Sequence, residues 1–188
     1  MPLSEPKTRD HLHRRQITID AFRREDGLTD VEATLVDTKP IDFYVGSEHP
    51  NVRAGEAIHG ISVRLSVDAR SVIHECEVSM DSTPYSYCGE VSARFDLTGI
   101  KMTGGFMKAV GERIGPADNC WHVRQMLQQM ATVFVQSTYP ALRVEIDKLP
   151  PAQRAAPALV NSCAGWQSHR SHIREDFPAA YRPEQEGE

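Results

Sequence analysis

The feature that most constrains the fold is a strict alternation of apolar and polar residues over positions 61–68. Its apolar members are Ile61, Val63, Leu65 and Val67, and polar residues fill the positions between them. Because successive side chains of a strand point to opposite faces, this pattern predicts a strand with one buried face. A turn at residues 68–71 and renewed alternation from Val72 to Met80 predict the return strand. The segment is therefore predicted to form a β-hairpin.

An earlier hairpin is predicted by the same signal. Apolar residues alternate with polar ones on both sides of the turn residues Asp26-Gly27, at Ile17, Ile19 and Ala21 before it and at Val31, Ala33 and Leu35 after it. Two hairpins predict an antiparallel sheet of at least four strands, and one face of that sheet needs a cover.

Two amphipathic helices in the C-terminal half are predicted to supply that cover. The shorter has apolar residues at Phe106, Met107, Val110 and Ile114 and lies between Gly104-Gly105 and Gly115-Pro116. The longer begins near Asp118 or Asn119, repeats apolar residues at helical spacing from Val123 to Phe134, and is expected to end at Thr138-Tyr139-Pro140. Strands followed by helices, rather than alternating with them, predict an α+β fold.

The chain is predicted to form one domain between two less regular ends. Residues 1–14 are polar and contain proline, which predicts a loose arm. Residues 15–148 hold the predicted α+β domain. Residues 149–188 are rich in proline and are expected to form a connector and a tail that packs on the domain.

Charge and composition narrow the classes of partner. The 188 residues carry a formal charge of −5 without a basic stripe, so nucleic acid is not expected as a partner. No apolar run is long enough to span a bilayer and the first residues lack a secretion signal, which predicts a cytoplasmic protein. Cys76, Cys88, Cys120 and Cys163 are far apart and are expected to be reduced thiols. Whether the chain forms a homodimer is left open.

The common cofactor motifs are missing from the sequence. It contains no P-loop, no dinucleotide-binding glycine motif, no H-E-x-x-H and no G-x-S-x-G. We therefore expect no cofactor and no assigned metal ligand. Any catalysis would rest on side chains alone or on a small metal ion.

Several strings match a known family in their order along the chain. They are FRREDGLTDVEATLVDTKP, GEAIH, MDSTPYSYC and NCWHV, which fall between about His11 and Tyr139. In this order they resemble a bacterial family known as domain of unknown function 2889. The positions that fit its pattern are His13, Arg15, Arg23, Asp26-Gly27, Glu32, Asp37, Lys39, His59, Asp81, Pro84, Cys88, Cys120 and His122.

The resemblance also bears on the end of the chain and on function. The family tends to carry a Cys-His pair near its end, and here Cys163 fits while Ala164 stands in place of the histidine. The resemblance further implies an association with bacterial gene clusters that break down aromatic compounds, including compounds derived from lignin.

Cys120 and His122 are the most suggestive pair of residues. A cysteine in the first turn of a helix is favoured as a thiolate by the helix dipole, and a nearby histidine can supply a proton. The alternative is that Cys120 is a small buried residue and His122 is bonded to backbone. Cys88, Cys120, His122 and Cys163 are a further candidate set, for a zinc site, although zinc ligands usually occur in tighter sequence pairs.

The remaining candidates lie on or beside the predicted sheet. His59 has the parity of Ile61 and is expected to point inward, as a general acid or base or as a core histidine. The predicted loop 81–90 contributes the candidates Asp81, Tyr85 and Cys88. The aromatic ring of Tyr85 is suited to binding a flat ligand. Among the arginines, which include Arg15 and Arg64, one is expected to pair with Glu32 or Asp37 across the hairpin or to hold a phenolate or carboxylate.

The function expected from these residues is that of a small cofactor-independent enzyme of bacterial aromatic catabolism. The specific hypothesis is a lyase that cleaves a C–C bond in an aromatic metabolite and releases an aldehyde such as formaldehyde. The expected catalytic residues are His59, His122, Cys120 and Asp81, and the expected substrate-binding residues are Tyr85, Cys88, Arg15 and Arg64. The alternatives are a non-catalytic binding or assembly module and a zinc-binding protein.

Overall fold

Four strands form a single antiparallel sheet in the computed structural model, which describes residues 3–44, 46, 51–115 and 118–184. The strands are β1 (Arg14–Arg23), β2 (Thr29–Thr38), β3 (Ala57–Val67) and β4 (Ile73–Ser82). They lie in the order β1-β2-β3-β4, so each strand pairs with its neighbour in sequence. Both predicted hairpins and the predicted α+β fold are confirmed.

One face of the sheet carries the apolar core of the first half of the chain. Its rows run across all four strands, as Ala21–Val31–Leu65–Cys76, Ile19–Ala33–Val63–Val78 and Ile17–Leu35–Ile61–Met80. The central residues of these rows are almost completely buried, and Leu35 and Leu65 have no exposed surface. The opposite face is polar, with a row in which Arg64 lies between Glu32 and Glu77.

The turns and bulges of the sheet follow local chemistry. Gly27 has a φ of 89° in the first turn, a conformation that glycine adopts without steric cost. In the second turn the side chain of Asp68 accepts hydrogen bonds from the backbone N–H groups of Arg70 and Val72, at 2.8 and 2.9 Å. The register shifts between Asp37 and Thr38 on β2, and between Gly60 and Ile61 on β3. Both irregularities lie at the end of the sheet that carries the candidate site, and bulges of this kind increase the local twist.

Two short helices follow the sheet. The helix α2 (Phe106–Arg113) begins after Gly105 and buries Phe106 and Val110, as its apolar spacing predicts. The helix α1 (Cys88–Ser92) was not expected, because its residues were assigned to a loop over 81–90. β4 takes the first part of that segment and α1 takes its end, so only 83–87 connects them. Five residues give too short a pattern for helical periodicity to show.

The helix α3 (Trp121–Asp147) is longer than the sequence predicts. The expected end at Thr138-Tyr139-Pro140 is wrong, because the helix continues through Pro140. A proline removes only one backbone donor, and the turns already formed on both sides hold its neighbours in helical geometry. The N-terminal half of the helix buries Val123, Met126, Leu127, Met130 and Phe134. The helices of the C-terminal half thus pack against the sheet, as predicted.

The chain divides into two compact units, Met1–Phe134 and Val135–Glu188, and the boundary falls inside α3. The second unit contains α4 (Ser171–Asp176) and three short 3-10 helices. Within it, Asp176 accepts hydrogen bonds from Arg143 at 2.9 Å and Arg154 at 3.3 Å, and Trp166 meets Tyr139 edge to face. The division into 1–14, 15–148 and 149–188 stays a prediction. Parts of the expected arm, of the 38–56 connection and of the tail, and Pro116, lie outside the described residues.

Candidate active site

A buried carboxylate ends the apolar face of the sheet. Asp37 continues the inward-facing series of Val31, Ala33 and Leu35 on β2, and only 1% of its surface is exposed. The sheet register places Arg15 on one side of it and His59 on the other. The row Arg15–Asp37–His59 therefore lies next to the last apolar row and faces the same way.

Both carboxylate oxygens of Asp37 have hydrogen-bond partners. Arg15 donates from Nε to Oδ1 at 2.8 Å and from Nη2 to Oδ2 at 2.6 Å, which is the paired geometry that a guanidinium offers to a carboxylate. The Nε2 atom of His13 lies 3.2 Å from Oδ1, and the Nδ1 atom of His59 lies 3.0 Å from Oδ2. These contacts hold the carboxylate in a single orientation.

The charge of Asp37 is secured by its partners. Burial by itself would raise the pKa of this carboxyl, but the hydrogen bonds and charge of Arg15, with smaller effects of His13 and His59, lower it to about 2. The carboxylate is thus ionised at neutral pH. Arg15 is anchored in turn, since its Nη1 donates to the Oε1 atom of Gln125 on α3 at 3.0 Å.

His59 is oriented by this carboxylate. An ionised carboxylate only accepts hydrogen bonds, so Nδ1 of His59 carries the proton and Nε2 is the unprotonated nitrogen of the neutral ring. Burial lowers the pKa of His59 below its usual value, against the opposing influence of Asp37. At neutral pH the ring is neutral, with Nε2 available as a base or a ligand.

His122 covers His59 from the first turn of α3. The two rings are 4.1 Å apart between centroids and inclined by 39°. Burial lowers the pKa of His122, and the electrostatic influence of His59 and Arg15 lowers it further. Both rings are therefore less readily protonated than an exposed histidine, which reduces charge repulsion between them.

The thiol of Cys120 contacts an imidazole, and that of Cys88 is linked to Cys120 electrostatically. Cys120 directly precedes the first residue of α3, and its carbonyl accepts the first helical hydrogen bond, from the N–H of Arg124 at 3.1 Å. Its Sγ atom is 3.9 Å from Nδ1 of His122. Cys88 opens α1, and burial raises the pKa of its thiol, with a smaller electrostatic effect of Cys120 in the same direction. The expected group of His59, His122, Cys120 and Cys88 therefore lies in one region, although 32 positions separate Cys88 from Cys120 in sequence.

Two of the predicted site residues point elsewhere. Asp81 accepts a hydrogen bond from Ser79 at 2.7 Å and is exposed, so it does not contact His59. Arg64 lies on the polar face of the sheet, where it pairs with Glu77 and, at 3.8 Å, with Glu32. Strand parity explains both positions, because neither side chain shares the face of Ile61 and His59. Tyr85 stacks on Tyr87 with centroids 5.3 Å apart, in the turn that leads into Cys88.

Asp37 and His13 were not expected to be site residues. Asp37 was predicted only as a partner of an arginine across the hairpin, which Arg15 confirms. The signal for a larger role is its parity with Leu35, because a carboxylate on a buried face must have partners. His13 precedes β1, and nothing in the local sequence shows that it reaches the same carboxylate.

The site also contains metal-ligand chemistry. Within the described part of the chain, Asp37, His59 and His122 each offer one ligand atom, and these atoms lie within 4.8 Å of one another. Cys163, a member of the zinc set considered from the sequence, is an exposed thiol of the second unit. The cluster described above is built from residues of the first unit alone.

Comparison with known families assigns the domain that carries these residues. Residues 13–136, more than half of the chain, match the model of the family described as Protein of unknown function (DUF2889). The chain belongs to the DUF2889 family. The matched range of the DUF2889 domain begins at His13 and includes the sheet and the N-terminal half of α3, so every residue of the candidate site lies within it. No curated protein and no solved structure matches the chain.

One further property of the DUF2889 chain concerns membranes. Among its described helices, none combines the length and the apolar character that a bilayer crossing requires.

Proposed function

We propose that this DUF2889 protein is an enzyme that transfers protons on a compact aromatic metabolite, and that it is a lyase that releases an aldehyde. The observation that carries the proposal is the contact of His59 Nδ1 with Asp37 Oδ2 at 3.0 Å. A buried carboxylate that holds one ring nitrogen leaves the other positioned to accept a proton. The expected catalytic role of His59 thus gains an orienting partner, and that partner is Asp37 rather than Asp81.

The reaction we propose starts at a hydroxyl group of the substrate side chain. Nε2 of His59 accepts the hydroxyl proton, the oxygen forms the C=O bond of formaldehyde, and the adjacent C–C bond breaks. The electron pair of the broken bond stays on the aromatic fragment, which takes up a proton. The substrate thus yields one molecule of formaldehyde and one shortened fragment, and no oxidant is consumed.

Aromatic side chains next to the two thiols in sequence are the support for a flat substrate. Tyr85 and Tyr87 stack with their rings 8° from parallel, immediately before Cys88. Trp121 follows Cys120, and 65% of its surface is exposed. Exposed rings next to a polar cluster offer stacking surfaces to an aromatic ligand. Arg15 is engaged with Asp37 and Gln125, so we assign it to holding the carboxylate rather than to binding a phenolate.

The test is formaldehyde release from a panel of lignin-derived dimers by the purified protein. Loss of a general base typically costs 10²–10⁴-fold in rate, so we expect His59→Gln to reduce release by at least about 100-fold. His74→Gln is the matched control, because His74 contacts a carboxylate at 3.0 Å, that of Asp68, outside the site. No release by the native protein from any dimer of the panel would refute the lyase proposal.

The alternative of a binding or assembly module makes a different prediction. If Cys120 and His122 only pack α3 onto the sheet, Cys120→Ala and His122→Ala will lower stability without changing turnover or ligand affinity. We propose that the protein is bacterial and cytoplasmic and that its substrate is a small aromatic molecule. Size-exclusion chromatography with light scattering tests whether it acts as a homodimer.

A further inference from the structure

Among the nitrogen and sulfur donors of this site, His122 contacts both His59 and Cys120. His59 comes from β3, and Cys120 and His122 come from the start of α3. The imidazoles are 4.1 Å apart between centroids, and Sγ of Cys120 is 3.9 Å from Nδ1 of His122. A thiolate and two imidazoles form a donor set typical of zinc and similar divalent ions.

Asp37 holds a different position in this set. Both of its oxygens accept from Arg15, and His13 and His59 occupy further directions, so a metal ion would have to displace existing partners to reach it. A carboxylate that binds one nitrogen of a histidine commonly orients the other nitrogen toward a metal ion. The contact between Asp37 and Nδ1 of His59 has this geometry, and it leaves Nε2 for the ion.

We propose that His59, His122 and Cys120 bind one divalent transition-metal ion, zinc in the first instance, with Asp37 as the outer partner of His59. At tetrahedral zinc, bonds of about 2.3 Å to sulfur and about 2.0 Å to nitrogen place the ligand atoms roughly 3.3–3.6 Å apart. The 3.9 Å between Cys120 and His122 is close to this range. The ligand atoms that already lie within 4.8 Å of one another are those of Asp37, His59 and His122, so binding in our assignment requires the side chain of Cys120 to rotate toward Nε2 of His59.

The fourth position of this ion is open in our assignment. Cys88 interacts with Cys120 through its charge, whereas the three proposed ligands are joined by direct contacts. Three protein ligands and one exchangeable position are the arrangement of catalytic zinc sites, in which a bound water becomes a strong base. Binding of the ion does not rest on the proposed lyase reaction. With the ion bound, Nε2 of His59 is a ligand and is no longer the base, so a water at the fourth position would take the role that the proposed reaction gives to Nε2 in the metal-free site. The inference replaces the expectation of a site without a metal.

The metal is tested on the full-length protein without substrate. The protein is stripped with a chelator, reloaded with Zn²⁺, dialysed and analysed, and Co²⁺ is titrated in parallel to observe the sulfur-to-cobalt charge-transfer band. We expect one ion per chain and a band that disappears in Cys120→Ser but persists in Cys88→Ser. His122→Gln should also lose the ion. Cys163→Ala and His74→Gln are the matched controls and should bind as the native protein does.

Asp37→Asn separates an outer partner from a direct ligand. We expect it to keep one ion per chain while its affinity falls about 10–100-fold, the typical cost of removing an outer-sphere partner. Circular dichroism of each variant verifies folding. If Cys120→Ser does not fold, the number of ions bound by the native protein and the cobalt band of Cys88→Ser test the assignment instead. Binding well below one ion per chain, an unchanged band in folded Cys120→Ser, or loss of the band in Cys88→Ser would overturn the assignment. Formaldehyde release is measured separately, so a failed lyase assay leaves the binding result standing.

Discussion

Arg15 and Asp37 face each other across the first hairpin and share two hydrogen bonds, of 2.8 and 2.6 Å. Around this pair the structure arranges the whole candidate site, because Asp37 orients His59 and Arg15 reaches Gln125 on α3. The pair thus joins three strands and one helix at a single buried charge.

The stability that Asp37 contributes should depend on pH. Its pKa is about 2 in the folded protein, against about 3.9 for an ordinary aspartate, so the folded state binds fewer protons between these values. The contribution is fully present above about pH 5 and is lost as the pH falls through 2, and a shift of this size corresponds to about 2–3 kcal/mol. Urea unfolding at a series of pH values should therefore show the gap between native protein and Asp37→Asn narrowing by that amount. A gap that stays constant down to pH 2 contradicts the assignment, and Asp81→Asn is the control.

Lysine should not replace Arg15. A lysine cannot make the paired contact, which leaves a buried carboxylate oxygen without one of its donors. We expect Arg15→Lys to lower the free energy of unfolding by about 1–3 kcal/mol. Arg23→Lys, at an exposed position of the same strand, should change it by less than about 0.5 kcal/mol. Equal effects of the two substitutions would show that the paired geometry is unimportant.

The two site histidines should titrate below the usual range in metal-free protein. Burial lowers the pKa of both rings, and Asp37 opposes that effect at His59 more than at His122. Asp37→Asn should therefore lower the pKa of His59 further and move His122 less. Long-range ¹H–¹⁵N spectra of the imidazoles, recorded from pH 4 to 8, measure both midpoints. An increase in the pKa of His59 would be inconsistent with the contact that we describe.

Removing the proline inside α3 should stabilise the helix. A proline in a helix interior costs about 3 kcal/mol relative to alanine, and tertiary context has kept the helix continuous through Pro140. We expect Pro140→Ala to raise the free energy of unfolding by about 1–3 kcal/mol. Pro151→Ala is the matched control, because Pro151 opens a 3-10 helix, where proline is well tolerated. Thermal unfolding followed at 222 nm compares the two variants.

The sequence predicts the elements of this fold better than it predicts the site. Buried positions recur at regular intervals along a strand or a helix, so they leave a pattern in the local sequence. This pattern is the alternation from Ile61 to Val67 and the apolar spacing from Val123 to Phe134. The contact of His59 with His122 depends instead on which end of the sheet α3 crosses, and no local pattern contains that information. The sequence predicts Asp81 as a catalytic residue of a loop over 81–90, but β4 includes it and turns its side chain to the other face. Asp37 alternates in step with the buried residues Ala33 and Leu35, and this placement on the buried face is a stronger indication of a site carboxylate than the position of Asp81.

The shared parity of Leu35 and Asp37 limits how this protein can evolve. Inserting or deleting one residue of β2 ahead of Leu35 would turn both side chains to the opposite face, so the core and the charged cluster would be lost together. The strands that carry the cluster are therefore not expected to tolerate insertions or deletions. Diversification of the family around a retained cluster must proceed by substitution, or by variation in length outside the strands, in the connections 39–56 and 83–87.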